Sequence, residues 1–201
     1  MIPVRYTVDQ NTDEWMALRL GKFTASSFAD LFMGEKTKGL RDAKIKVAFE
    51  RVTGQSEEFY SNKWMKRGHE REPEARSYYE DITGNEVEDA GFYAYGSYIG
   101  ASPDGKIVGE NAGIEIKCPS FSVYAEYLES NEVPKAYYWQ VHGQLLCTGW
   151  DYIDFIAYNS KMLPHILIRV NRDEDVLVKL KKRLYECIRE VRNFEYQLKK
   201  Y

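Results

Sequence analysis

Apolar positions near the C-terminus recur at alternating steps of three and four residues, a spacing that places them on one face of a helix. This stripe predicts a helix over 174–199 that packs on the core of its own chain, with a coiled-coil seam as the alternative. The stripe consists of Leu177, Leu180, Leu184, Cys187, Val191, Phe194 and Leu198.

The pattern between 85 and 118 is different, because short apolar runs are separated by Gly, Asn and Asp, as is typical of strands and turns. Asp104-Gly105 is a turn dipeptide, and we expect it to join two of these strands closely. Thr24 is a candidate cap for the second of two helical pieces within 11–33. Further helices are predicted over 41–53, 63–83, 121–130 and 135–148, and further strands over 152–158 and 165–170.

Helices, a group of strands, more helices and more strands predict an α/β fold with a central mixed β-sheet flanked by helices. We find no repeat or linker, so the prediction is one domain over 1–201. The chain is 44% hydrophobic, which is enough for a substantial core. Residues 1–6 lack the apolar run of a signal peptide, and no membrane-spanning stretch occurs. We therefore expect a soluble cytoplasmic protein with no membrane partner.

The three cysteines, Cys118, Cys147 and Cys187, are widely separated and form no CxxC pair. This spacing favours neither a zinc site nor a disulfide framework, so we expect small core residues in a reducing compartment. The net charge of −3 neither supports nor excludes DNA binding, because a sum over the whole chain averages local patches away. The basic segment 36–41 is either a phosphate-binding patch or a solvated face.

The strongest chemical signal is Ile114-Glu115-Ile116-Lys117, which follows Ser102-Pro103-Asp104-Gly105. Residues two apart on a strand share a face, so Glu115 and Lys117 project together, away from the two isoleucines. Asp104 can approach Glu115, and two neighbouring carboxylates with hard oxygen donors suit Mg²⁺. The alternative is a salt bridge between Glu115 and Lys117, with Asp104 as only a turn residue.

Asp104 followed by Glu115-Ile116-Lys117 resembles the PD-(D/E)XK nuclease motif. The surrounding residues narrow the resemblance to the lambda-exonuclease and YqaJ-like viral recombinase family, over about two thirds of the chain. The matching segments are 15–21, 24–26, Gly68-His69-Glu70, Ser102-Pro103-Asp104-Gly105, 115–119 and Gln140 through Gln144. The resemblance implies a restriction-endonuclease-like core.

By this resemblance, Asp104, Glu115 and the backbone carbonyl of Ile116 bind one or two Mg²⁺ ions, with Mn²⁺ as a substitute. Lys117 would position the nucleophilic water. Glu70, from the helix before the strands, would complete the metal site, although Glu70, Glu72 and Glu74 also fit a charged, solvated helix. A second acid that some family members carry before the Ser-Pro-Asp-Gly turn has no clear match in 92–96, which leaves the number of strongly bound ions open.

The resemblance also implies a pocket for the 5′-phosphate of the digested strand, formed by Arg19, Ser26 and Ser102. A guanidinium offers phosphate a bidentate fork, and hydroxyl groups near a helix start add donors. Gln144 matches the family's motif glutamine near the lysine, and Gln140 shares its helix face. The alternatives for these residues are an ordinary surface arginine, a cap and a solvent-facing pair.

The implied activity is a Mg²⁺-dependent exodeoxyribonuclease that digests linear double-stranded DNA 5′ to 3′, releases 5′-mononucleotides and serves phage-type recombination by strand annealing. The implied partners are DNA ends, two further copies in a homotrimer and a single-strand annealing protein. The sequence leaves three alternatives open: another PD-(D/E)XK enzyme such as an endonuclease or a RecB-like repair nuclease, a non-catalytic DNA-end-binding module, and a structural protein with salt-bridged acids.

Overall fold

The computed structural model describes residues 2–56, 63–130, 132–161 and 165–200, with side chains for all of these except 63–70. The helices are α1 (Asp13–Arg19), α2 (Phe28–Leu31), α3 (Lys38–Thr53), α4 (Lys63–Thr83), α5 (Phe121–Ser130), α6 (Lys135–Thr148) and α7 (Glu174–Leu198). The strands are β1 (Val4–Tyr6), β2 (Phe23–Thr24), β3 (Val87–Glu88), β4 (Phe92–Ala94), β5 (Ile99–Ala101), β6 (Gly105–Ile107), β7 (Ala112–Lys117), β8 (Tyr152–Ala157) and β9 (Ile166–Asn171).

The described strands form two mixed sheets. The larger has the order β3-β6-β7-β8-β9, with β7 at its centre, antiparallel to β6 and parallel to β8. The smaller has the order β1-β4-β5-β2, in which β2 runs parallel to β5. The predicted α/β class with a central mixed sheet is confirmed, but the smaller sheet divides what the sequence predicts as a single one.

Helix boundaries agree closely with the sequence pattern. Helix α3 ends at Gly54, whose φ of 68° only glycine adopts without strain, and α4 ends before Gly84 in the same conformation. The predicted pair of helices over 11–33 is interrupted by β2 and by a short 3-10 helix, Ala25–Ser27. The prediction that Thr24 caps the second piece is wrong, because its hydroxyl makes no capping bond there.

Asp104-Gly105 lies where two strands follow each other closely, as predicted, but these strands do not form a hairpin. These residues lie between β5 of the smaller sheet and β6 of the larger, so the chain changes sheets there. The hairpin turn between β6 and β7 is at 108–111, where Gly109 has a φ of 79°. Asp104 is nevertheless beside β7, because its amide donates to the carbonyl of Ile114 at 3.2 Å.

The two faces of the larger sheet bury different clusters. Ile114 and Ile116 of β7 pack with Ala75 and Tyr79 of α4 on one face. On the other face, Ile153 and Phe155 of β8 belong to the cluster that includes α6 and α7. The predicted stripe of α7 is buried from Leu177 to Val191 and packs on the core, while Leu198 at its end is exposed. The core interpretation of this helix is thereby confirmed.

Within the described ranges, no helix combines the length and apolar character that crossing a bilayer requires.

Candidate active site

Strand β7 presents an acid and a base to the cavity side of the sheet. Glu115 is 1% exposed, and its Oε1 accepts hydrogen bonds from the Lys117 ammonium and from Gln140 Nε2. Its Oε2 accepts from Gln144 Nε2. Both carboxylate oxygens are thus held by side-chain donors, which compensates the burial of the charge.

The Asp104 carboxylate is fixed against the same strand. Its Oδ2 accepts from the backbone amide of Ile116 at 2.7 Å, and its own carbonyl accepts from Arg76 Nη2 at 2.7 Å. Burial, followed by repulsion from the Glu115 carboxylate, raises the pKa of Asp104 well above its usual value. A divalent cation between the two carboxylates would remove that repulsion.

Lys117 remains a cation in this setting. Burial alone would lower its pKa, but the carboxylates of Glu115 and Asp104 outweigh that effect and raise it. The ammonium also lies 4.9 Å from the ring centroid of Tyr137, on helix α6, within cation–π range. Lys117 is therefore held between a carboxylate and a ring, in an orientation set by both.

Helix α6 supplies two amides from successive turns to one carboxylate. The sequence singled out Gln144, but Gln140 makes an equivalent contact with Glu115 and joins the site. Gln144 Oε1 is buried and has no hydrogen-bond partner among the described residues. A buried acceptor without a donor is costly, so this oxygen suits a water or another donor within the site.

Helix α4 brings Glu72 to the cavity wall, where its charge contributes to the raised pKa of Asp104. Sequence reasoning did not select this residue. The signal was available, because Glu72 lies three and seven positions before the buried Ala75 and Tyr79 and so shares their helix face. Glu70, selected instead, lies on α4, but its side chain is outside the described part of the molecule, so its role stays a prediction.

The predicted phosphate-binding residues form a neighbouring cluster. Ser102 Oγ accepts from Trp15 Nε1 at 2.8 Å and from Arg19 Nη1 at 3.4 Å. The Arg19 guanidinium lies 4.1 Å from the Trp15 ring and also donates to Thr24 Oγ1 at 3.4 Å. The exposed Ser26 hydroxyl is 3.4 Å from that of Thr24.

Arg19 is charged and only partly engaged. Burial lowers the pKa of Arg19 to about 10, with the Glu50 carboxylate opposing the shift, so the group stays protonated at neutral pH. The hydrogen bonds that it donates to Ser102 and Thr24 are long, and both acceptors are hydroxyl oxygens. A phosphate would offer this fork a stronger, charge-assisted pair of bonds.

One cavity of about 630 Å³ joins the two clusters, since Arg19, Ser26 and Ser102 line it together with Asp104 and Glu115. Cys118 also lies on its wall, half-buried and free, and packs against a core cluster, so the prediction that all three cysteines are core residues holds only in part for this one. Cys147 and Cys187 are free and buried in the core, as predicted.

The donor set fits a hard divalent cation. Carboxylates of Asp104, Glu115 and Glu72 face one cavity, with the unpartnered oxygen of Gln144 on the same wall. Among the described side chains, no three of His, Cys, Asp or Glu yet converge in a ligand-like group. Glu115 is instead bonded to Lys117 and two glutamines, so it would have to exchange some of these partners for the cation.

Comparison with known proteins accords with this geometry. Residues 14–151 match the model of the YqaJ-like viral recombinase domain. An alkaline exonuclease from Laribacter hongkongensis, LHK-Exo, is 32% identical and superposes with a TM-score of 0.84, over 94% of this chain and 97% of that one. Its crystal structure in complex with dAMP gives a TM-score of 0.85, with the same identity and coverage.

A phage-related exonuclease from Haemophilus somnus shares the fold, with a TM-score of 0.69 over 92% of this chain and 99% of that one, at 18% identity. No curated protein matches the chain significantly. The match to the family model covers more than half of the chain. The protein therefore belongs to the YqaJ-like viral recombinase family, with the fold of the alkaline exonucleases, and is a nuclease of the exonuclease type.

Proposed function

We propose that the protein is a Mg²⁺-dependent exodeoxyribonuclease that digests linear double-stranded DNA from its ends, 5′ to 3′, and releases 5′-mononucleotides. The observation that carries this proposal is the shared cavity, in which the Arg19–Ser102 cluster adjoins Asp104, Glu115 and Lys117. A site that holds a terminal phosphate beside hydrolytic machinery cuts next to an end. The dAMP bound to LHK-Exo is a 5′-mononucleotide, which supports the same product class here.

The residues of the site have different roles in metal binding and hydrolysis. Asp104 and Glu115 would bind the cation, joined by Glu72 and the carbonyl of Ile116, with Glu70 retained from the sequence prediction. Bound Mg²⁺ supplies Lewis-acid chemistry, which lowers the pKa of water and neutralises negative charge on the reacting phosphate. Lys117 would align the attacking water, and Gln140 and Gln144 would hold Glu115 in position.

The anchoring cluster, formed by Arg19, Thr24, Ser26 and Ser102, supports the proposal that digestion starts at a 5′ end. The Arg19 guanidinium and the hydroxyls of Ser26, Thr24 and Ser102 can donate hydrogen bonds to a terminal phosphate. Trp15 holds both Arg19 and Ser102 in place, so the pocket is formed before DNA arrives. Pairing a phosphate dianion with a preformed cation favours 5′-phosphate over 5′-hydroxyl ends.

The deciding experiment follows nucleotide release from linear duplex DNA carrying either 5′-phosphate or 5′-hydroxyl ends, with a closed circle in parallel and Mg²⁺ present. We expect release from the linear substrates only, faster with 5′-phosphate, and none in EDTA. In Arg19→Ala, the rate ratio between the two end types should fall by about 10- to 100-fold, because a charge-assisted bond is lost. Arg19→Lys should recover part of the ratio, since it keeps the charge but not the fork.

The ratio serves as its own control, because a general loss of activity lowers both rates together. Cutting of the closed circle would replace the exonuclease proposal with an endonuclease. An unchanged ratio in Arg19→Ala would remove the phosphate-anchoring role from this residue.

Glu72 gives a separate test of the metal site. We expect Glu72→Gln to lower the rate at fixed Mg²⁺ by about 10- to 100-fold and to raise the Mg²⁺ concentration needed for half-maximal rate, since a supporting carboxylate is lost. Glu74→Gln is the matched control, because the Glu74 carboxylate instead accepts from the Tyr158 hydroxyl at 2.7 Å. Glu70→Gln in the same titration tests the sequence prediction. A normal Mg²⁺ requirement in Glu72→Gln would place that residue outside the metal site.

We further propose, by family resemblance, a ring-shaped homotrimer that encloses DNA, a single-strand annealing protein as partner, a role in phage-type recombination and a cytoplasmic location. Light scattering of the purified protein tests the trimer directly.

A further inference from the structure

A separate cavity of about 550 Å³ lies between helix α7 and the turn that joins β4 to β5. Its apolar floor includes Ile99 and Ile188. Tyrosine rings and guanidinium groups stand around this floor: Tyr95, Tyr98, Tyr185, Arg189 and Arg192. A concave apolar surface with a few charged groups at its rim is typical of a ligand site.

The charge at this cavity is not neutralised by its surroundings. The nearby glutamates of α7 are each paired with another basic residue, Glu186 with Arg183, Glu190 with Lys44 and Glu195 with Arg51. Arg189 and Arg192 have no carboxylate partner among the residues that the structure describes. The mouth is therefore locally positive on a chain whose net charge is −3, and it suits an anion.

The tyrosines of this cavity lie beside guanidinium groups. The Tyr98 ring is in cation–π range of two guanidiniums, that of Arg51 at 3.7 Å and that of Arg192 at 5.2 Å, and its hydroxyl donates to Glu195 at 3.3 Å. Tyr185 lines the cavity and is 45% exposed, so a ligand can reach its side chain. Rings that can stack on bases, beside guanidiniums that can bind phosphates, are the usual elements of single-strand recognition.

We propose that this cavity binds single-stranded DNA, with a base stacked on Tyr185 and the flanking phosphates held by Arg189 and Arg192. The choice of ligand rests on the proposed function, because an enzyme that removes one strand of a duplex leaves the other single. Position along β5 supports it. Tyr98 directly precedes this strand and Ser102 directly follows it, a separation of about 13 Å in extended chain. The cavity thus lies within a few nucleotides of the anchoring cluster.

The test measures fluorescence anisotropy of a labelled 12-nucleotide oligo(dT) with a 5′-hydroxyl, bound to the full-length protein in EDTA. We expect Arg189→Ala/Arg192→Ala to weaken binding by about tenfold or more. The slope of log affinity against log salt should fall by about 1.4, since each phosphate contact to a single strand contributes about 0.7. Arg189→Lys/Arg192→Lys should keep the slope. Tyr185→Ala should weaken binding several-fold, and Tyr185→Phe should not.

The matched control is Lys181→Ala/Lys182→Ala, which removes the same charge from the same helix outside the cavity and should keep wild-type binding. Equal weakening by both pairs would show a net-charge effect and overturn the proposal, as would wild-type binding by the arginine pair. A change of oligomer mass in Arg189→Ala/Arg192→Ala that tracks the loss of binding would make the cavity a contact between copies, which also overturns it. The wild type could fail to digest duplex DNA while Arg189→Ala/Arg192→Ala still weakens oligo(dT) binding. That result would contradict the proposed function and support the single-strand site.

Discussion

We expect Lys117→Ala to lower the rate of DNA hydrolysis by about a thousandfold while leaving DNA binding within a fewfold of wild type. The ammonium is fixed between the Glu115 carboxylate and the Tyr137 ring, so its position relative to the reacting phosphate is set before substrate binds. Removing one preorganised charged group from a hydrolytic site costs on the order of 10²- to 10⁴-fold. Single-turnover release from 5′-phosphorylated duplex, with binding measured separately in Ca²⁺, separates the two effects.

Lys106 offers a control on the adjacent strand. It bonds to Glu88 at 3.1 Å, away from the cavity, and Lys106→Ala should hydrolyse DNA at close to the wild-type rate. Hydrolysis by Lys117→Ala within tenfold of wild type would leave the lysine with a structural role only, as a salt-bridge partner for Glu115.

Gly113→Ala is expected to destabilise the fold by about 3 kcal/mol, through overpacking at the centre of the larger sheet. A Cβ at this position would come within 2.0 Å of the Trp150 ring and 2.6 Å of the Gly105 carbonyl oxygen on the paired strand. The ring is 3% exposed and the carbonyl belongs to the sheet backbone, so neither can move without a cost in free energy. Urea unfolding monitored by circular dichroism measures the change.

Gly34→Ala is the matched control, because its added Cβ would meet Thr37 Cγ2 at an ordinary 3.7 Å. Its free energy of unfolding should stay within about 0.5 kcal/mol of wild type. Trp150→Leu should recover part of the loss in the Gly113→Ala background, since it removes the nearer obstacle. A Gly113→Ala protein as stable as wild type would contradict the expected overpacking at this position of β7.

Long periodic elements could be predicted from the sequence because their pattern records burial directly. The stripe of α7 and the alternation of Ile114-Glu115-Ile116-Lys117 each describe one element against one core. The strands β1 and β2 could not be found in this way, since two or three residues carry no period. They exist only through pairing with β4 and β5, which lie far along the chain.

In the candidate site, too, some features could be predicted from the sequence and others depend on tertiary packing. The grouping of Asp104, Glu115 and Lys117 follows from strand geometry and the motif, and the structure brings them together. The position of Glu72 at the cavity depends on the rotation of α4 about its axis, which Ala75 and Tyr79 on the same helix face indicate once they are known to be buried. The contact of Gln140 with Glu115 likewise requires the position of α6 over the sheet.

The passage of the chain from one sheet to the other has a consequence for the length of the product. By the proposed function, Ser102 contacts the terminal phosphate and Asp104 binds the cation. Only Pro103 separates them, and its ring restricts φ while its carbonyl accepts from Gln10 at 2.9 Å. If these roles hold, this short segment fixes the distance between the DNA terminus and the phosphodiester bond that is hydrolysed. An insertion beside Pro103 would lengthen the distance between Ser102 and Asp104. The enzyme would then release dinucleotides, or the scissile bond would no longer reach the metal site when the terminal phosphate is bound.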